Sequence, residues 1–140
     1  MSESLQKKSD AIKKNFASLS KQQHYDLLIQ MGQQLPPFPS LLKIESSIVP
    51  GCQSTLYLHA TSCDGRISFV AHSEALISAG LAALLVSLYS GESPETVLTS
   101  PPVVIEELQL TSNLSLNRSN GLANIYLRMK QLALAFLIKQ

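Results

Sequence analysis

Apolar residues recur at Leu5, Ile12, Phe16 and Leu19 with lysines between them, which places one apolar stripe and one charged face on a helix. Ser20-Lys21-Gln22-Gln23 has the spacing of a capping box, in which the serine accepts from the first turn and the glutamine reaches back. A second helix therefore starts there, with Tyr25, Leu28, Ile29 and Leu35 along one face. Pro36, Pro37 and Pro39 stop it, because proline lacks a donor and disfavours helix in the residue before it. From residue 43 the period shortens to that of a strand. Residues 43–49, 53–60 and 66–71 read as three short strands, parted by Pro50-Gly51-Cys52 and by Cys63-Asp64-Gly65, whose Asp-Gly is a strong hairpin signal. Three such strands form an antiparallel meander, and its apolar side needs helices over it.

Ser73-Glu74 reads as an N-cap with an acid in the first turn, opening a helix over residues 75–89. That helix is apolar nearly all round, so it is expected at the centre. Gly80 inside it costs about 1 kcal/mol of helix propensity relative to alanine, which implies a close neighbour. Gly91 closes the helix; Ser93-Pro94-Glu95 and Ser100-Pro101-Pro102 each open a short one, the second running to Leu108. Residues 118–139 carry Leu122, Ile125, Tyr126, Met129, Leu132, Ala133, Phe136 and Leu137 on one face, a core stripe closing the chain. The fold class expected is α+β, a small three-stranded antiparallel sheet packed against helices, with residues 1–140 as a single domain. The 140 residues suffice to bury a core without a metal or disulfide.

Composition narrows the function. Hydrophobic residues make up 45% and charged residues 15%, and the net charge of +1 with a pI near 7.8 gives no basic face for nucleic acid. The doublets Lys7-Lys8 and Lys13-Lys14 read as the solvated face of a helix. The most apolar stretch, 75–89, is broken by Ser78 and Ser87 and falls short of the ~20 residues of a membrane span. The first fourteen residues mix acids with bases and have no apolar signal core. Two cysteines cannot build a disulfide framework, so a reducing cytoplasm is the expected setting.

Cys52 is the leading chemical candidate. It follows Pro50-Gly51, a turn needing positive φ, and precedes an alternating run, so a reactive thiol near the surface on a rigid frame is expected. Cys63, beside Asp64-Gly65 at a hairpin tip, reads as incidental, and the two cysteines are too far apart for a C-x-x-C pair. His24, His59 and His72 are the possible partners of a Cys-His hydrolase. Strand parity turns His59 away from Cys52, whereas His72, at the end of a neighbouring strand, is the one able to lie near it. No phosphate-binding loop, dinucleotide fingerprint or carboxylate pair is present.

Val49-Pro50-Gly51-Cys52-Gln53-Ser54 resembles the GCQS signature of the SufE family, the sulfur-acceptor partners of cysteine desulfurases in iron–sulfur cluster assembly. The likeness runs through Gly32 to Pro36, through His72-Ser73-Glu74-Ala75 and on to Tyr89, Gly91 and Pro94. Asn117-Arg118-Ser119-Asn120-Gly121-Leu122 resembles the family's SRxxGL helix start. The resemblance implies an α+β fold shared with IscU-type scaffolds, Cys52 as acceptor of persulfide sulfur, and Arg118 near it. Gly51, Gln53, Ser54 and His72 are the supporting positions. It also implies a pyridoxal-phosphate-dependent, SufS-like cysteine desulfurase and a SufBCD-like scaffold complex as partners. No cofactor is implied beyond a transient Cys52 persulfide, and no nucleic acid or membrane. The chain departs from the family at His72 and Glu74, commonly aspartates, at Ala79, commonly lysine, and at Tyr57, commonly tryptophan. The alternative from another class is an IscU-like scaffold binding a metal or cluster, which needs three or four ligands within reach of one another. Cys52 and His72 would supply two, with Cys63 a poor third.

Overall fold

The computed structural model describes residues 2–110 and 114–139, and of residues 116 and 117 the backbone alone. Helix α1, Glu3–Phe16, is capped by Ser2, whose hydroxyl accepts from the Leu5 amide. It buries Leu5, Ile12 and Phe16, the stripe read from the spacing. Helix α2, Lys21–Gln33, opens on the expected capping box: Ser20 Oγ accepts from Gln23 N, and Gln23 Oε1 accepts from Ser20 N. Strands β1, Leu56–Cys63, and β2, Arg66–Ser73, form an antiparallel hairpin across Asp64 and Gly65, both at positive φ as Asp-Gly requires. Leu56 and Leu58 share the core face with Ile67, Phe69 and Ala71.

The sheet has two strands, not three. Residues 43–49 do not alternate as a strand must: Ile44 is exposed while Ser47 is buried, and Glu45–Ser47 winds into a 3-10 turn. Only the end of this segment pairs, through a single Ile48–Tyr57 bridge and a Val49 N to Leu56 O bond of 2.9 Å. Pro50 follows, without a donor to extend the ladder.

Helix α3, Leu76–Tyr89, is buried along most of its length and packs on α2, on β2 and on the last helix. It starts later than the Ser73-Glu74 cap predicts. Ser73 ends β2 instead; its hydroxyl donates to Thr55 O across the hairpin mouth and accepts from Ala75 N. Ala75 is then the N-cap, and no side chain caps the helix. The close approach expected at Gly80 is the α2–α3 crossing: a Cβ there would run into the Leu28 backbone, and one on Gly32 would fall 2.7 Å from Gly80 N. Ala79, where lysine is common in the resembled family, is buried in the same contact.

Helices α4, Pro94–Thr99, and α5, Val103–Glu107, follow, and α6, Leu116–Ile138, closes the chain. Ser115 caps α6 by accepting from Arg118 N, so the helix starts two residues earlier than its apolar stripe indicates. Leu122, Ile125, Met129 and Ala133 enter the core as expected. Tyr126 stacks on Tyr89 at 5.3 Å and donates to Val97 O, which joins α6 to α3 and α4. At the other end, Glu92 is 2% exposed and accepts from Lys8 and Ser2, pinning α1 to the segment after α3. No helix among the described residues is long and apolar enough to cross a membrane.

Candidate functional site

The Pro50-Gly51 turn forms as its residues require, with Gly51 at φ +82°. Val49 holds the near side through its bond to Leu56. On the far side Asn124 of α6 donates from Nδ2 to Gly51 O at 3.1 Å. A Cβ on Gly51 would lie 2.5 Å from that same Nδ2, so a side chain there would push the Asn124 amide off its bond, while the positive φ is what calls for glycine.

Cys52 emerges half-buried, packed against the core on one side and open to a cleft on the other. The sequence shows a turn there but not the two helix starts that converge on it. The thiol lines a cleft of about 370 Å³. Gln53, Ser54 and Leu56 of its own segment form one wall, and residues 75–78 at the start of α3 form another. Arg118, Gly121 and Ile125 of α6 form the third, with Ile29 and Leu81 deeper in. Cys52 Sγ lies 4.0 Å from the Gly121 carbonyl, a weak S–H donor contact. Burial pushes the thiol above its ordinary value, since a thiolate loses hydration there. Burial is the one cause that acts on the thiol; Arg118 and the first turn of α3, which no side chain caps, line the same cleft.

Of the sequence-derived site residues, Cys52, Gln53, Ser54 and Arg118 share this cleft, and Gly51 shapes the turn that borders it. His72 does not join them. It pairs with Tyr57 on the outer face of the hairpin and lines an adjoining hollow with Lys43, Tyr57 and Glu74. The two hollows share Ser54 and Ala75. His72 Nε2 is 3.0 Å from Glu74 Oε1, so both departures from the family's aspartates face each other. His59 sits opposite Val70 on the outer face, as parity predicts. His24 packs edge-on to Phe16 at the α1–α2 corner, its Nε2 3.2 Å from Phe16 O. None of the three histidines lines the Cys52 cleft, so the dyad of a Cys-His hydrolase is not assembled. Cys63 is exposed at the hairpin tip, its Sγ 3.8 Å from Asp64 Oδ2. Among the described residues no three His, Cys, Asp or Glu side chains gather as a metal site would require.

The residue that sequence reasoning missed is Asn124. Its signal was present: asparagine inside a helix is a poor helix former, because its side chain competes for backbone groups. The position invited a reason, and the bond to Gly51 supplies it. The Asn117 side chain, part of the same motif, lies outside the described residues.

Comparison with known proteins shows the family. Residues 10–133 match the family model described as SufE, Fe-S metabolism associated domain. A SufE-like protein of Synechocystis sp. is 34% identical over 116 residues, covering 83% of this chain and 73% of that one. The sulfur acceptor protein CsdE of Escherichia coli is 33% identical over 117 residues, with 81% and 80% covered. The cysteine desulfuration protein SufE of Wigglesworthia glossinidia brevipalpis is 31% identical over 130 residues, with 91% and 90% covered. The solution structure of a hypothetical protein from Thermus thermophilus superposes with a TM-score of 0.78 at 28% identity, covering 94% of this chain and 96% of that one.

Proposed function

The chain belongs to the SufE family, and we propose that it is a sulfur acceptor that takes persulfide sulfur from a cysteine desulfurase onto Cys52. The observation that carries this reading is a nucleophilic sulfur in a cleft that it shares with Arg118 and, among the described residues, with no histidine or carboxylate. Transfer between persulfides asks for little else. The Cys52 thiolate bonds to the outer sulfur of the partner's Cys–S–SH. The partner's S–S bond breaks, its electron pair goes to the partner's cysteine sulfur, and the proton on the transferred sulfur travels with it. A thiolate and a persulfide give a persulfide and a thiolate, with no external oxidant or reductant.

Arg118 and the first turn of α3 stabilise the anion that burial disfavours, while the apolar walls of Leu56, Leu81 and Ile125 keep water from the transferred sulfur. The protein then acts as a covalent accessory to a pyridoxal-phosphate-dependent, SufS-like desulfurase. It passes the sulfur to a SufBCD-like scaffold complex in the cytoplasm, as one domain over residues 1–140 with no resident cofactor. The names of the relatives support the desulfurase as partner.

Incubation with a cysteine desulfurase and cysteine, followed by intact and peptide mass spectrometry, tests the reading. Sulfur mass on the Cys52 peptide is expected. Sulfur confined to Cys63, or none on either cysteine, overturns it. Tight stoichiometric zinc or a cluster in the purified protein would favour the scaffold alternative instead.

A further inference from the structure

Helix α6 has a face that neither the core nor the Cys52 cleft uses. Leu127, Leu134 and Ile138 on it are 48%, 48% and 74% exposed. Single exposed leucines are ordinary, but these stand in register. With Gln131 they follow at steps of four, three and four residues, the spacing of a coiled-coil seam in which one polar position fixes the register. Ile125, which lines the cleft, stands two residues before Leu127, about 200° around the helix, so the seam faces away from the thiol. Arg128 flanks the seam on one side and Lys130 on the other. Arg128 donates to Gln131 Oε1 at 3.3 Å and to Ser46 O at 3.5 Å, and Lys130 lies over the Tyr126 ring at 4.8 Å. Among the described residues neither forms an ion pair. The sequence has no acid after Glu107, so α6 lacks the mixed charges of an ordinary solvated helix face.

From this arrangement, and independently of the sulfur-acceptor reading, we infer that the outer face of α6 docks an acidic amphipathic helix of another protein. The apolar seam of that helix covers Leu127, Leu134 and Ile138, and the carboxylates beside its seam meet Arg128 and Lys130. Charges flanking such a seam set the choice of partner, and here both flanks carry the same sign. A second copy of α6 would set cation against cation, which selects against self-pairing. A lipid surface fits less well, because a helix lying in one presents a broad apolar face, and this seam is narrow and broken by Gln131. The seam is also short, so the pairing is weak and reversible. Since it faces away from the cleft, the partner stays docked while the Cys52 thiol remains open to a second protein.

The probe is a fluorescent synthetic helical peptide with leucine along its seam and glutamate at the flanking positions. A matched peptide with lysine in place of glutamate is the control. By anisotropy the wild type should bind the glutamate peptide roughly tenfold or more tightly than the lysine peptide. Leu127→Gln/Leu134→Gln should weaken that binding by about tenfold or more, from lost apolar cover. Arg128→Glu/Lys130→Glu should reverse the preference between the two peptides. Both double variants should melt with the wild type and be alkylated at Cys52 by iodoacetamide at its rate, since none of the four side chains lies in the core or the cleft. No binding of the glutamate peptide, equal binding of the two peptides, or binding unmoved by the leucine substitutions overturns the inference and leaves the acceptor reading standing. A wild type that sediments as a dimer, and as a monomer once Leu127 and Leu134 are replaced, overturns it in favour of a second copy. Binding to phosphatidylserine vesicles without binding to the glutamate peptide overturns it in favour of a lipid surface.

Discussion

Cys52 and Cys63 each stand beside a glycine turn, yet the structure treats them oppositely. Gly51 is roofed by Asn124 of α6, and the residue after it faces a cleft built by the starts of two helices. A Cβ on Gly65 would meet no described atom within 4 Å, and Cys63 is exposed, opposite Arg66 and with its Sγ 3.8 Å from the Asp64 carboxylate. Local turn chemistry is similar at both places. What makes one a candidate site is tertiary. Two helix starts and a cation surround Cys52, and its thiol is partly dry. The Cys63 thiol has the reach but none of the surroundings that would select its partner or hold a transferred sulfur.

The largest effect separates the two thiols directly. Cys52→Ser should abolish sulfur acceptance measured by mass spectrometry, and Cys63→Ser should leave it at the wild-type level. An inactive Cys63→Ser beside an active Cys52→Ser would reverse the comparison. Next come the two turns. Valine at either Gly51 or Gly65 meets positive-φ strain, on the order of 1–3 kcal/mol, so both variants should melt lower. Only Gly51→Val also collides with Asn124 and displaces Cys52, so it alone should lose transfer, by roughly tenfold or more. Equal transfer rates in the two variants would show that the turn does not position the thiol.

Much of this contrast was legible in the residues themselves. The capping box at Ser20, the Asp-Gly hairpin, the close approach at Gly80 and the stripe of α6 are local codes, and each forms as read. The Cys52 turn was legible for the same reason. Failures came where tertiary partners decide. Residues 43–49 have strand-like composition, but burial of Ser47 and exposure of Ile44 select a 3-10 turn and one bridge. Ser73 has the chemistry of an N-cap, yet the hairpin needs its hydroxyl at Thr55, so α3 starts uncapped beside the cleft. The burial of Cys52 and the placing of His72 in a neighbouring hollow depend on how helices meet the sheet, which no short window encodes.

A smaller effect concerns the pH dependence of the Cys52 thiol. Burial raises the Cys52 thiol, so its reactive thiolate is scarcer at neutral pH than in an ordinary cysteine. Iodoacetamide alkylation should therefore climb with pH to a midpoint above the usual thiol value. Removing a cation from the cleft disfavours an anion there, so Arg118→Ala should move the profile to still higher pH. Arg118→Lys should restore part of the shift but not a forked geometry. An unmoved profile combined with slower transfer from the desulfurase would assign Arg118 to the partner's surface.

The smallest effect tests what roofs the Gly51 turn. Asn124→Ala removes one exposed hydrogen bond to Gly51 O, worth about 0.5 kcal/mol. Alone it should lower the melting temperature slightly and loosen the turn without removing the thiol from its cleft. Its value lies in combination, because the Asn124 amide is also what a side chain at position 51 would strike. Asn124→Ala should relieve the collision in Gly51→Val but not the positive-φ strain, so the double variant should recover part of the lost transfer. The coupling between the two substitutions is then the contact's own contribution, separated from backbone strain. Losses that simply add would mean that α6 does not hold this turn, and the contrast between the two cysteines would rest on burial and Arg118 alone.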